Sequence, residues 1–126
     1  MTDSIGRLHQ AVLAAKHADL ASSRTARLLR SGRAKIAKKL AEEAVEVVID
    51  AMHGNRDAVV SESADLIYNL VVLWVSSGVH PADVWKEMER REGLFGIAEK
   101  LRKDNPEPEA RRRVVALDSR RVRKRR

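Results

Sequence analysis

Apolar residues recur along the first hundred positions at intervals of three and four rather than alternating, which is the period of an α-helix. Ile5, Leu8, Val12 and Leu13 set one apolar stripe on a segment predicted from Ser4 to about His17. Ser22 or Ser23 is placed to cap a short second helix that closes at Ser31-Gly32. A third helix is predicted from about Arg33 to Met52, about six turns long. It ends at His53-Gly54-Asn55, where glycine or asparagine can take the left-handed conformation. Asn55 or Asp57 then caps a fourth helix that runs to Ser77-Gly78. So short a link predicts an antiparallel hairpin of helices three and four. Pro81 suits the first turn of a fifth helix, with Asp83 near its positive end, and this helix is expected to reach about Arg91 before Gly93 and Gly96 interrupt. The expected fold class is all-α: an antiparallel bundle of four to five helices.

Composition narrows the function. A chain of 126 residues has room for one main domain and buries only part of the apolar surface its helices present. Val71, Val72, Leu73, Trp74 and Val75 cover more than one helix face, so the bundle is expected to be completed by homodimerisation. The longest apolar run, Leu70 to Val75, is too short to span a bilayer, and the opening MTDSIGRLHQ lacks the pattern of a secretory signal. A soluble, cytoplasmic protein with no membrane partner is the expectation. The absence of cysteine removes disulfides, thiolate metal sites and cysteine nucleophiles. The net charge of +7 is unevenly spread: residues 104–126 hold nine Arg/Lys against four Asp/Glu, so residues 1–103 are nearly balanced. The expected division is therefore a helical domain over 1–103 and a basic, disordered tail over 104–126.

Two acidic patterns carry the chemistry. Glu43 and Glu46 on helix three, and Glu62 and Asp65 on helix four, are each three residues apart and so share a helix face. The hairpin brings the two pairs to similar heights. Their neighbours, Val45, Val47, Val48, Ile49, Ala64, Leu66 and Ile67, are apolar, so these acids do not sit on an ordinary charged face. Four carboxylates this close repel one another unless a cation compensates. An all-carboxylate donor set suits a hard ion, Mg²⁺ or Mn²⁺, better than zinc. Arg33, Lys35, Lys38 and Lys39 precede the acids on the same helix and are candidates to hold phosphates beside that ion. A solvated basic face is the alternative. Ser23 and Thr25 stand as helix caps or as further substrate contacts. The four histidines show no ligand spacing and are assigned to surface, turn or cap positions, and the aromatic residues to core or interface.

The stretch Ser23-Arg24-Thr25-Ala26-Arg27-Leu28-Leu29, then Lys35-Ile36-x-x-Lys39-Leu40-Ala41-Glu42-Glu43-Ala44-x-Glu46, then Glu62-Ser63-Ala64-Asp65-Leu66-Ile67-Tyr68, resembles the phosphoribosyl-ATP pyrophosphohydrolases, within the MazG-type all-α nucleoside triphosphate pyrophosphohydrolases. The resemblance covers about residues 5 to 100. It implies a helical dimer and Mg²⁺-dependent hydrolysis of phosphoribosyl-ATP to phosphoribosyl-AMP and pyrophosphate, the second step of histidine synthesis. It further implies that Glu43, Glu46, Glu62 and Asp65 ligate the metal. By the same resemblance Glu42 would support them or, with Glu46, help activate water, while Lys35, Lys38 and Lys39 would hold phosphates. Arg24 stands where an aromatic residue is common in the family, Ala41 where glycine is, and Asn69 where histidine is; the first and last bear on which nucleotide fits. Two other readings compete: a MazG-type enzyme acting on other nucleoside triphosphates, and a non-catalytic helical dimer that binds nucleic acid through its basic tail.

Overall fold

Short polar side chains open three of the helices by accepting backbone N–H groups that have no partner within the helix. In the computed structural model, which describes residues 3–104 with side chains through Gly96, Asp3 accepts from the Gly6 amide at 2.6 Å, Ser23 from Ala26 at 3.1 Å and Asn55 from Ala58 at 3.1 Å. The elements are α1 (Ser4–Ala15), α2 (Arg24–Arg30), α3 (Arg33–Met52), α4 (Arg56–Ser77) and α5 (Pro81–Asp104). The chain is all-α: five helices and no strand among the described residues. Gly78 ends α4 with φ 72, and the Val79 amide reaches back to the Trp74 carbonyl at 2.8 Å, closing a Schellman-type cap that a side chain at that φ would strain.

α4 is the central helix of residues 3–85, packing against α1, α2 and α3. Val71, Val72 and Val75 share one face of it and meet Val12 of α1 and Ile36 of α3 in the fully buried core. Ile5, Leu8, Leu13, Leu28, Leu29, Tyr68, Leu73 and Trp74 pack around that centre. By length and composition alone α4 is long and apolar enough to cross a membrane. Its buried valines are nevertheless taken up by the core, and Glu62 and Asp65 sit midway along it in a group of acids.

Two expectations are corrected. α5 does not stop near Arg91 but continues through Gly93 and Gly96 to Asp104. An interior glycine costs a helix about 1 kcal/mol relative to alanine, which weakens a helix without forbidding it, and neither glycine here takes a positive φ. His9, assigned to a surface, turn or cap position, is instead buried on α1 with its ring centroid 5.0 Å from that of His80. From Lys86 onward α5 belongs to a second unit, of which residues 86–104 are described. Within its described part, Glu87 accepts from Arg90 at 2.6 Å and from Arg91 at 3.1 Å, and this pairing lowers the Glu87 pKa to about 2. The basic tail expected over 104–126 lies, beyond Asp104, outside the described residues.

Candidate active site

Helical spacing lays out the site before any contact is considered. On α3 the residues Lys35, Lys39, Glu43 and Glu46 follow one another at steps of four, four and three, so cations and acids share one face, with the cations nearer the start of the helix. On α4 the corresponding row is Glu62, Asp65 and Asn69. The packing of α3 on α4 brings the acidic stretches together: one carboxylate oxygen from each of Glu43, Glu62 and Asp65 lies within 4.8 Å of the other two. Glu46 adjoins the group as the neighbour that acts most strongly on the Glu62 carboxyl. Contact first with Glu46, then with Glu43, and partial burial raise the Glu62 pKa from 4.5 to about 7, because removing its proton adds a negative charge to a place that already holds several. Glu42 is exposed and lies outside this three-acid group.

The donor set fits a hard divalent cation. Glu43 Oε2 and Glu62 Oε2 are shielded from solvent and have no hydrogen-bond partner, a costly arrangement for carboxylate oxygens that a cation between them would relieve. All the available donors are oxygens, and no cysteine or histidine belongs to the group.

Glu43 and Asp65 open onto a cavity of about 730 Å³, within the range of small-molecule sites. Arg24, Thr25, Arg27 and Leu28 of α2 line it, with Ser31, then Lys35, Lys39 and Glu43 of α3, and Asp65, Tyr68 and Asn69 of α4. The structure thus brings together five of the residues singled out from sequence: Thr25, Lys35, Lys39, Glu43 and Asp65. Ser23, Arg33 and Lys38 are not part of the lining, and Ser23 spends its hydroxyl on capping α2. The ion pairs among the described residues are Arg56 with Asp57 and Glu87 with Arg90 and Arg91, so the basic side chains of the cavity have no acidic partner there. Unpaired cations beside crowded carboxylates form a polarised surface suited to an anion that brings its own metal ion.

Sequence reasoning assigned no site role to Arg27 or Tyr68, and marked Arg24 and Asn69 only as departures from the family pattern that bear on which nucleotide fits. The Tyr68 hydroxyl is 2.6 Å from Thr25 Oγ1, a hydrogen bond across 43 positions that ties α2 to α4 and that no local spacing announces. Arg27 did leave a signal, standing three residues after Arg24 and so on the same helix face. Asn69 is buried, and its Nδ2 donates to the Asp65 carbonyl at 2.8 Å. Only the amide nitrogen can donate to a carbonyl, which fixes the orientation and leaves Oδ1 without a partner.

An all-helical chain with an oxygen-only acidic cluster opening on a basic cavity falls in the class of proteins built to handle phosphate esters. Comparison with known proteins is specific within that class. The family model described as phosphoribosyl-ATP pyrophosphohydrolase matches residues 5–92. A protein of Bradyrhizobium diazoefficiens named phosphoribosyl-ATP pyrophosphatase 2 is 60% identical over 99% of both chains. One of the same name from Rhodopseudomonas palustris is 62% identical over the full length of both. The phosphoribosyl-ATP pyrophosphatase of Azospirillum brasilense is 53% identical over 76% of this chain and 86% of its own. The chain belongs to the phosphoribosyl-ATP pyrophosphohydrolase family.

Proposed function

We propose that this chain hydrolyses phosphoribosyl-ATP to phosphoribosyl-AMP and pyrophosphate, the second step of histidine biosynthesis, as a Mg²⁺-dependent cytoplasmic enzyme. The observation that carries the reading is the meeting of Glu43, Glu62 and Asp65 within 4.8 Å, two of which, Glu43 and Asp65, line a cavity that also presents Lys35 and Lys39. Full-length similarity to proteins named for this activity supports the choice of substrate.

In this reading Glu43, Glu46, Glu62 and Asp65 hold the cation. When bound, Mg²⁺ (or Mn²⁺) supplies positive charge that offsets the carboxylates and polarises phosphate oxygens. Lys39, one turn before Glu43, and Lys35, two turns before it, take up negative charge on the polyphosphate. A water oxygen bonds to the α-phosphorus while the bond from that phosphorus to the bridging oxygen of the β-phosphate breaks. The leaving pyrophosphate carries away the electron pair. Glu46, at the exposed edge of the acidic group, accepts the proton the water loses; Glu42, exposed on the same helix, has the supporting role.

The bundle is read as antiparallel and completed by a second copy of the chain. The stretch from Val71 to Val75 does not supply the surface for this, because Val71, Val72 and Val75 are already buried in the chain's own core. The support comes from Val45, Val48, Ile49 and Met52, one face of α3, together with Val60 and Ile67 of α4. All six are exposed, from 39% for Ile67 to 81% for Met52.

The test is a substrate panel. Purified protein with Mg²⁺ should release pyrophosphate from phosphoribosyl-ATP much faster than from ordinary or damaged nucleoside triphosphates, and Glu46→Gln should abolish the release. Preference for another triphosphate would replace the reading with a MazG-type activity. No turnover of any nucleotide would remove catalysis altogether.

A further inference from the structure

The positive charge of the cavity comes from two different walls. Lys35 and Lys39 stand on α3 in line with Glu43. Arg24 and Arg27 stand on α2, three residues apart and therefore on one face of that helix. None of the four has an acidic partner among the described residues.

The α2 wall is held in place. Thr25, between the two arginines, is hydrogen-bonded to Tyr68 of α4 at 2.6 Å, which fixes the start of α2 against the cavity. Arg27 directs one guanidinium nitrogen at the Leu20 carbonyl (2.6 Å) and the Ala21 carbonyl (3.4 Å) of the preceding loop, leaving Nε and the other terminal nitrogen to donate elsewhere. Arg24 is exposed and lines the cavity. Paired guanidinium groups recognise phosphate through two parallel N–H bonds each, a geometry a lysine cannot offer.

Resting on the function proposed above, we infer that Arg24 and Arg27 form a second anion subsite that binds the 5′-monophosphate of the phosphoribosyl group, the part of the substrate that ATP lacks. The substrate carries two anionic ends joined through one nucleoside, and the cavity offers two cationic walls. The α3 lysines serve the polyphosphate end and the α2 arginines the monophosphate end. Recognition of the phosphoribosyl end thus falls to a wall separate from the acidic cluster where bonds break.

Equilibrium binding tests this without requiring turnover. Phosphoribosyl-AMP and AMP are titrated, with Mg²⁺, into the wild-type protein, Arg24→Ala, Arg24→Lys and Lys39→Ala. The wild type should bind phosphoribosyl-AMP more tightly than AMP. Arg24→Ala should weaken phosphoribosyl-AMP roughly ten- to hundredfold, the range for a hydrogen bond to a charged group, and leave AMP unchanged. Arg24→Lys should recover part of the loss, and Lys39→Ala should weaken both ligands. Because Arg24 is exposed, its variants should melt with the wild type by circular dichroism. Equal binding of the two ligands by the wild type, or an Arg24→Ala effect that is absent or equal for both, would overturn the subsite. Failure of the wild type to hydrolyse phosphoribosyl-ATP in a parallel assay would instead overturn the proposed function, so the two failures are read separately.

Discussion

Replacing Glu62 by glutamine probes the acidic group at the point where its electrostatics are most strained. The Glu62 carboxyl has its pKa raised from 4.5 to about 7 by Glu46, Glu43 and partial burial. A folded-state value above the unfolded one means that the folded protein binds the extra proton more tightly. Stability of the cation-free protein therefore declines as pH rises from about 4.5 to about 7 and levels off above that. A divalent cation must displace the same proton, so its apparent dissociation constant scales with one plus the ratio of protonated to deprotonated Glu62. With a pKa of about 7, that factor is about two at pH 7 and about eleven at pH 6. Calorimetric titration of the wild type with Mg²⁺ and Mn²⁺ between pH 5.5 and 8.5 should follow this curve. Glu62→Gln carries no such proton: its residual affinity should be weaker at pH 8 and nearly flat with pH, and its thermal stability without metal should no longer fall between pH 5 and 7. Affinity independent of pH in the wild type, or strengthening as pH falls, would refute the assignment of Glu62 to the cation.

Other perturbations address the fold and the assembly. Ile36→Ala empties a fully buried position between α1, α3 and α4 and should cost about 2–5 kcal/mol in urea denaturation. Tyr68→Phe removes the hydrogen bond to Thr25 and should cost about 1 kcal/mol in the same measurement, with a rise in KM for phosphoribosyl-ATP as α2 loosens. Val48→Glu places a charge in the exposed apolar face of α3, and sedimentation velocity should then show a monomer for the variant and a dimer for the wild type; a wild-type monomer at micromolar concentration would remove the proposed dimer from the reading.

The elements that punctuation defines were legible from sequence, and the contacts between distant elements were not. Gly32 and Gly54 bracket α3, and the structure gives that helix the predicted bounds, Arg33 to Met52. Asn55 caps α4 and Gly78 ends it in the left-handed conformation, as side-chain and backbone chemistry require. Glycine misled only at Gly93 and Gly96, where a modest penalty was read as a break. The acidic cluster was legible because i, i+3 spacing is local and the link between α3 and α4 is three residues long, which leaves little freedom in register. By contrast, His9 meets the ring of His80, and Tyr68 in the cavity meets Thr25. Each is a meeting of elements far apart in sequence that periodicity does not encode. The apolar stretch after Leu70 misdirected for a related reason: an apolar run shows that residues will be covered, not by what.

The row Glu62, Asp65, Asn69, Val72 has a consequence for how the protein fails. Along one helix face it passes from acids through a buried amide, clamped to the Asp65 carbonyl, into the centre of the core. No hinge separates the reactive end from the structural end, so the acids have no inexpensive local melting route of their own. On heating, loss of catalysis and loss of helicity should trace a single curve, and amide hydrogens at Asn69 and Val72 should exchange only when the whole molecule opens.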